Sequence, residues 1–264
     1  HGLAVRWLKV WDANTWYMVT DGGGFVKTTD GGTTWSINPK AGFPQIATFT
    51  SQPNNLNGAW FWDRNNGIAG GQAGGVMITT NGGTTWDSAR VVFATSTIYN
   101  FHFVNNQFGY LAGNSAMGLR KTTDGGRTWS LVPNQRPGVA FYDVYAPDTS
   151  RIVVSSSAGK VFLTSNGGAT WDSSVTGGSP NLEDLDFVSA TEGYATGSSG
   201  RYMYTTNGGY AWTVVPMPTT RTMHRIRSVG GREYVTGDVA ATSTMIYTTT
   251  NRGVTWDSIN YVAP

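Results

Sequence analysis

The chain has 264 residues, of which 13% are charged, a formal net charge of +2 at pH 7 and no cysteine. So small a positive charge does not favour a nucleic-acid partner, and the lack of cysteine excludes disulfides, thiolate metal sites and a cysteine nucleophile. No run of about 18 apolar residues occurs, so no membrane span is predicted. No motif in the sequence indicates a metal or any other cofactor.

Short β-strand patterns follow one another along the whole chain, and no segment has the periodicity of an amphipathic helix. They come in pairs, and each pair precedes a turn; the pairs are 5–11 with 16–19, 59–62 with 67–70, 100–104 with 109–112, 141–145 with 152–154, 185–188 with 194–196, and 226–229 with 233–236. The longest connection, 38–57, contains Pro39, Pro44 and Pro53. A loop of this length in a compact domain is usually functional or mobile, and we expect one of those roles here.

An eight-residue motif closes every one of these units. The first copy is TTDGGTTW at 28–35, and later copies end at Trp86, Trp129, Trp171, Trp212 and Trp256. Counted from Trp35, successive motif tryptophans are 51, 43, 42, 41 and 44 residues apart. A repeat of this length with a turn in every unit is typical of the blades of a β-propeller.

The motif has a simple physical reading. An Asp-Gly or Asn-Gly pair after threonine predicts a tight hairpin, because glycine accommodates positive φ, and the tryptophan then starts the next strand and buries its ring. A catalytic or metal-binding carboxylate would not tolerate replacement by an amide, yet four of the six copies carry asparagine, so we interpret the polar residue as a turn acceptor. The residues assigned this structural role are Asp30, Asn81, Asp124, Asn166, Asn207 and Asn251, with Trp35, Trp86, Trp129, Trp171, Trp212 and Trp256.

Six such units predict an all-β protein. We expect one six-bladed β-propeller over 1–264. Each blade is expected to have four antiparallel strands, lettered a to d in chain order, with the motif at the hairpin between strands c and d. The blades are expected at about 1–40, 55–93, 98–133, 139–175, 181–216 and 222–260.

The motif is similar to the Asp-box, also called the BNR repeat, whose pattern is S/T-x-D-x-G-x-T-W. That repeat occurs in sialidases, xyloglucan-degrading glycosidases, sortilin-type receptors and propellers of the photosystem II assembly-factor type. The segments GYLAG at 109–113 and GYATG at 193–197 make the chain most similar to the assembly-factor group. The resemblance implies a propeller whose boxes lie away from the functional face.

The resemblance also sets an expectation about the compartment, since domains of this type are common in secreted bacterial proteins. The chain begins at His1 without an initiator methionine, so we expect a processed product. We expect a bacterial protein that works outside the cell or at its surface, with the periplasm as the alternative, and that belongs to a larger secreted polypeptide or assembly.

The first strand of each unit supplies the candidates for chemistry. Aligning its apolar positions, with a shift of one residue in the sixth unit, brings together Lys9, Trp60, His102, Asp143, Asp186 and Arg227. Two interpretations are open. Either these residues line a narrow wet channel and compensate one another's charge, or Asp143 and Asp186, with His102 as a third candidate, act on a glycosidic bond. The sialidase set is not present, because no Arg-Ile-Pro occurs and the arginines of the sixth unit cluster on one blade.

Five tryptophans lie outside the motif, and all fall in the first 62 residues: Trp7, Trp11, Trp16, Trp60 and Trp62. They either fill the gap between the first two blades or form an aromatic patch that stacks on sugars or anchors a protein partner. The loops between strands b and c are mostly short and neutral, which favours docking on an open face over turnover in a walled pocket.

We therefore expect a binding or assembly module without catalytic activity that presents one propeller face to a protein or a surface glycan. The alternatives are a glycoside hydrolase that uses the strand-a carboxylates and a lectin-like carbohydrate binder. The residues expected to bind are Trp7, Trp11, Trp60, Trp62, Lys9 and Arg227.

Overall fold

The computed structural model describes residues 4–38, 55–87, 90–91, 95–175, 178, 180–238 and 244–261. Over these residues the chain consists of β-strands and two three-residue 3₁₀ turns, Asp21–Gly23 and Gln72–Gly74. In these ranges no helix has the length and apolar character that a membrane crossing requires. The predicted connection 38–57 lies for the most part outside the described residues.

Six four-stranded antiparallel sheets form the blades of a six-bladed β-propeller, which confirms the predicted fold class. In every sheet the strands lie in chain order, so each blade is a meander of strands a, b, c and d. The chain divides into two compact units, 1–131 and 132–264, with three blades in each. The single domain over 1–264 stays a prediction.

The first unit contains blades 1 to 3. Blade 1 has β1 (Val5–Val10), β2 (Trp16–Thr20), β3 (Phe25–Thr28) and β4 (Ser36–Asn38). Blade 2 has β5 (Leu56–Phe61), β6 (Gly67–Gly71), β7 (Gly75–Thr79) and β8 (Arg90–Val91). Blade 3 has β9 (Ile98–Phe103), β10 (Gly109–Gly113), β11 (Leu119–Thr122) and β12 (Ser130–Leu131).

The second unit contains blades 4 to 6. Blade 4 has β13 (Phe141–Tyr145), β14 (Ile152–Ser156), β15 (Lys160–Thr164) and β16 (Asp172–Val175). Blade 5 has β17 (Leu182–Phe187), β18 (Gly193–Gly197), β19 (Arg201–Thr205) and β20 (Thr213–Pro216). Blade 6 has β21 (Met223–Val229), β22 (Arg232–Gly237), β23 (Thr244–Thr249) and β24 (Asp257–Tyr261).

The core of each unit lies between neighbouring blades. Strands β10, β14 and β18 are buried along their whole length. Between blades 1 and 2, Tyr17 and Phe25 pack against Phe61 and Trp86. Between blades 4 and 5, Leu163 packs in one cluster with Leu185 and Met203. Apolar side chains on both faces of strands b and c therefore hold adjacent blades together.

In blades 2, 3 and 5, strand b begins with glycine for a packing reason. A Cβ at Gly109 would lie 2.4 Å from a ring carbon of Phe103, and a Cβ at Gly193 would lie 2.6 Å from the ring of Phe187. Both distances are far below van der Waals contact, so the aromatic ring at the end of strand a can lie across strand b only where there is no side chain. This accounts for the first residue of the GYLAG and GYATG segments.

The first threonine of each motif copy holds the turn between strands c and d. In every copy its hydroxyl accepts a hydrogen bond of 2.9 to 3.0 Å from the amide of the residue four positions later and donates one to the Asp or Asn side chain. These hydroxyls belong to residues that are 1 to 2% exposed: Thr28, Thr79, Thr122, Thr164, Thr205 and Thr249. The polar side chain in turn accepts from the backbone amide four residues after it. One buried oxygen thus organises the whole turn.

The turn between c and d is also tied to the turn between a and b of its own blade. The first motif glycine donates its amide to a carbonyl there, for instance Gly125 to Gln107 at 2.9 Å and Gly208 to Thr191 at 2.7 Å. This glycine has positive φ in the first five copies, whereas the sixth has Arg252 at φ 55. Arginine adopts this left-handed conformation at a cost, which a contact of its side chain can offset.

Substitution at Thr122 tests the role of the buried hydroxyl. Thr122→Val removes the acceptor of the Gly126 amide and leaves a buried N–H unpaired, so we expect a loss of about 1–3 kcal/mol in the free energy of unfolding. Thr122→Ser keeps the hydroxyl and is the matched control, with an expected loss of less than about 1.5 kcal/mol for one methyl group. Urea denaturation measures both, and equal losses in the two variants would contradict this role.

Candidate functional site

Strand pairing corrects the predicted alignment of the first strands. Asp186 pairs with Tyr194 in blade 5, and Arg227 pairs with Tyr234 at the corresponding place in blade 6 without any shift. In blade 4 that place is occupied by Tyr145, while Asp143 corresponds to Asp184. The alignment of Asp143 with Asp186 was wrong by two residues. A displacement of two residues keeps every side chain on the same face of a strand, so the alternation of apolar and polar positions does not reveal it.

The residues of the first unit in this set contact aromatic rings. Lys9 Nζ lies 5.1 Å from the ring centre of Trp11, and the rings of Trp60 and His102 are 4.9 Å apart. Trp7 stacks on Phe61 at 6.0 Å. Trp62 meets the ring of Phe103 edge-on at 4.8 Å. Trp7, Trp11, Trp60 and Trp62 are all partly buried against the clusters between blades. That these tryptophans form a binding patch stays a prediction.

The acidic residues of the second unit bond to the backbone of the next blade. Asp143 is 4% exposed; its Oδ1 accepts from the amide of Val144 at 2.8 Å and its Oδ2 from the amide of Leu185 at 2.9 Å. Asp184 is 1% exposed, and its Oδ2 accepts from the amide of Ile226 at 2.9 Å. Both carboxylates therefore reach from strand a of one blade to strand a of the following blade.

Two further contacts extend this network. Arg227 donates through Nη1 to Asp184 Oδ2 at 2.6 Å and to the carbonyl of Ile226. Asp186 Oδ2 accepts from the amide of Ser228 at 2.6 Å. Strand a is an edge strand of its sheet, and its outward amides need acceptors that the sheet itself does not supply. The aspartates of the preceding blade are those acceptors.

The electrostatics of the network follow from burial and from the close approach of like charges. Burial, and then the neighbouring charge of Asp184, raise the pKa of Asp143. Burial also raises the pKa of Asp186. The carboxylates raise the pKa of Arg227 above its ordinary value, and Asp184 contributes most. The guanidinium therefore stays charged and partly neutralises an otherwise acidic cluster.

This geometry leaves little freedom for hydrolytic chemistry. A pair of carboxylates that cleaves a glycosidic bond must flank the substrate. Of the predicted pair, Asp143 is almost wholly buried, and both Asp143 and Asp186 accept hydrogen bonds from backbone amides. Asp184 was missed by the sequence reasoning, although it lies one repeat length, 41 residues, after Asp143. The repeat period was the signal that could have found it.

A second group of charges gathers where strand a begins and strand b ends in blades 5 and 6, which we call the loop end. There Arg221 is exposed, and its carbonyl accepts from the amide of Gly200 beside Arg201. His224 Nε2 lies 2.9 Å from Asp238 Oδ1, and its Nδ1 lies 3.8 Å from Glu183 Oε2. The nearby carboxylate of Glu183, and then the hydrogen bond with Asp238, raise the pKa of His224.

The loop end also includes Arg225, which donates through Nη1 to the carbonyl of His224 at 2.8 Å. The side chain of Arg221 has no hydrogen-bond or ion-pair partner among the described residues. Within the described ranges, no three His, Asp or Glu side chains are grouped in a way that could hold a metal ion. The exposed charged side chains of the loop end can form ion pairs and hydrogen bonds with a partner molecule.

Comparison with known proteins adds a family match. The family model described as photosynthesis system II assembly factor YCF48 matches residues 45–181, just over half of the chain. No curated protein sequence matches.

Several solved structures are similar. YCF48 from Cyanidioschyzon merolae has 14% identity and a TM-score of 0.59, with 89% of this chain and 92% of that chain covered. A xyloglucanase from Xanthomonas campestris has 13% identity and a TM-score of 0.70, with 96% of this chain and 46% of that chain covered. The WD40 propeller domain of Doa1 has 12% identity and a TM-score of 0.71, with 100% and 84% covered. Identities this low show the fold alone.

Titration of Asp143 gives a pH test of the buried network. Its pKa is raised from 3.8 to about 7, so the folded protein holds this proton more tightly than the unfolded chain. The resulting stabilisation is complete below the unfolded pKa and is lost as pH rises through the folded pKa. We expect wild type to lose stability relative to Asp143→Asn as pH rises from about 4 to about 7.

Urea denaturation at intervals across this range measures the difference. Asp172→Asn, which removes an exposed carboxylate of blade 4 and keeps Asp143, is the control. A difference between wild type and Asp143→Asn that does not change with pH would show that Asp143 does not titrate there.

Proposed function

This chain belongs to the family of photosystem II assembly factor YCF48, and from that premise we propose that it is a binding module without catalytic activity that holds a protein partner. The observation that carries the proposal is the use of the strand-a carboxylates. Asp143, Asp184 and Asp186 each accept a hydrogen bond from the backbone of the next blade, which is a structural task. Side chains spent in this way are poorly placed to bind and cleave a substrate.

The loop end of blades 5 and 6 supports a protein partner. Arg201, Arg221 and Arg225 all lie at this end of the blades, where the carboxylates of Glu183 and Asp238 both contact His224. Arginine is favoured at protein interfaces because its planar group forms several directed hydrogen bonds. An acidic or carbonyl-rich segment of a partner fits this surface.

A surface glycan is the second partner class within the proposal. It is favoured by the exposed edge of the aromatic set in blade 1, where Trp35 is 38% exposed and its ring centre lies 6.1 Å from that of Trp16. A sugar face can stack on such a ring. The placement of the protein outside a bacterial cytoplasm is also part of the proposal and rests on the resemblance of the motif alone.

The test compares two exposed arginines at different ends of the blades. Proteins captured by the wild-type chain from an extract of the source cells are identified, purified and titrated by calorimetry. We expect Arg221→Glu at the loop end to weaken binding of the partner by about tenfold or more, because it reverses a charge inside the interface. Arg127→Glu, in the motif turn of blade 3, should change the affinity by less than about twofold.

Two further measurements separate the alternatives. Equal weakening by both variants would contradict docking at the loop end. Release of reducing sugars from xyloglucan by wild type, and its loss in Asp143→Asn, would overturn the proposal of a module without catalytic activity. Binding on a glycan array that is lost with Trp35→Ala would assign the partner to the carbohydrate class.

A further inference from the structure

A cavity lies at the other end of blades 5 and 6, where strand a ends and the turns between a and b lie. Its volume is about 400 Å³, and its walls include Asp186, Glu192 and Tyr194 of blade 5 and Ser228, Gly230 and Gly231 of blade 6. This size is within the range of sites that bind small ligands or single side chains. We call it the turn-end cavity.

The two carboxylates in the wall of the turn-end cavity are only half used. Glu192 accepts through Oε1 from the hydroxyl of Tyr194 at 2.7 Å and from Arg252 Nη2 at 2.9 Å. Asp186 accepts through Oδ2 from the amide of Ser228. Within the described part of the chain, Glu192 Oε2 and Asp186 Oδ1 have no hydrogen-bond partner. The cavity thus presents two carboxylate oxygens to which no described residue donates a hydrogen bond.

A third carboxyl group lies behind Tyr194. Glu233 is 3% exposed, and its Oε2 has no hydrogen-bond partner among the described residues. It is close enough to the hydroxyl of Tyr194 to contribute to the raised pKa of that residue. Glu233 is not part of the cavity wall, and burial raises its pKa, so the acceptors that a ligand meets are those of Glu192 and Asp186.

The charge of the turn-end cavity is set by these acids. The hydrogen bond from Tyr194 lowers the pKa of Glu192, which is therefore ionised at neutral pH. Arg252 already contacts this carboxylate and lies 5.4 Å from the ring centre of Tyr204, but it does not line the cavity. This contact offsets the strain of Arg252 at φ 55 and holds one oxygen of Glu192 in place.

From this arrangement we propose that the turn-end cavity binds the cationic side chain of an arginine or a lysine from a partner protein. The guanidinium of arginine and the ammonium of lysine donate hydrogen bonds and accept none, so both fit a cavity wall that presents carboxylate oxygens. The aromatic ring of Tyr194 and the stem of such a side chain can pack together. Access is open, because a Cβ at Gly230 or Gly231 would meet no atom within 4 Å. This site lies at the opposite end of the blades from the loop end and does not depend on the proposed function there.

The probe is N-acetyl-arginine amide, with N-acetyl-lysine amide as the ammonium form. Amide NMR shifts of Gly230 and Gly231 are followed as the probe is added to the whole chain. We expect saturable shifts confined to the cavity. N-acetyl-citrulline amide has nearly the same shape without the charge and should produce no saturable shift. Equal shifts with citrulline, or none with either cation, would overturn the proposal.

Three variants with opposite expected effects sharpen the test. Glu192→Gln and Asp186→Asn each remove one charge at nearly constant shape and should weaken binding of the probe by about tenfold. Arg252→Met removes one of the two donors to Glu192 Oε1 and with it a competing cation, so it should tighten binding by about threefold. Thermal unfolding verifies that each variant is folded. Weaker binding in Arg252→Met, or unchanged binding in both acid variants, would rule out a site that recognises positive charge.

Discussion

The hydroxyl of one buried threonine is the contact on which each blade depends. It accepts the amide of the residue four positions later and donates to the Asp or Asn between them. A turn closed in this way fixes the direction in which strand d leaves and sets the motif tryptophan against the neighbouring strands. The adjacent amide then reaches the turn between strands a and b of the same blade. Because these donors are buried, the loss of the one oxygen would leave them unpaired.

Contacts between blades follow a different rule. The faces meet through apolar side chains, but the innermost strand has an edge whose amides need acceptors. In the second unit, Asp143 and Asp184 supply them, each to the strand one repeat later. In the first unit the corresponding residue of blade 2 is Gly58, where a Cβ would lie 2.7 Å from the carbonyl of Tyr99. The amide of Phe101 in blade 3 donates instead to Oδ1 of its neighbour Asn100 at 2.9 Å.

This division of tasks leaves the ends of the blades for the proposed recognition. Asp143 and Asp184 are buried and bonded to backbone amides, whereas the exposed polar groups lie where the strands turn. In blades 5 and 6 the two ends differ in character. Arg201, Arg221 and Arg225 lie at one end, and Asp186 and Glu192 line a cavity at the other. The arginines at one end suit an acidic segment of a partner, and the carboxylates at the other end suit a basic one.

The amino-acid sequence by itself determined the repeat, the turn and the strand order, because these depend on local conformation and on the spacing of glycines and tryptophans. Tertiary structure decided the rest. Asp143 lies two residues from the place that an apolar pattern assigned to it, and Asp184 has the matching role. Whether Trp7 or Trp60 contacts solvent or a neighbouring blade, and whether Glu192 meets Arg252, depend on residues tens of positions away. Such contacts follow from how the blades pack, which no local pattern encodes.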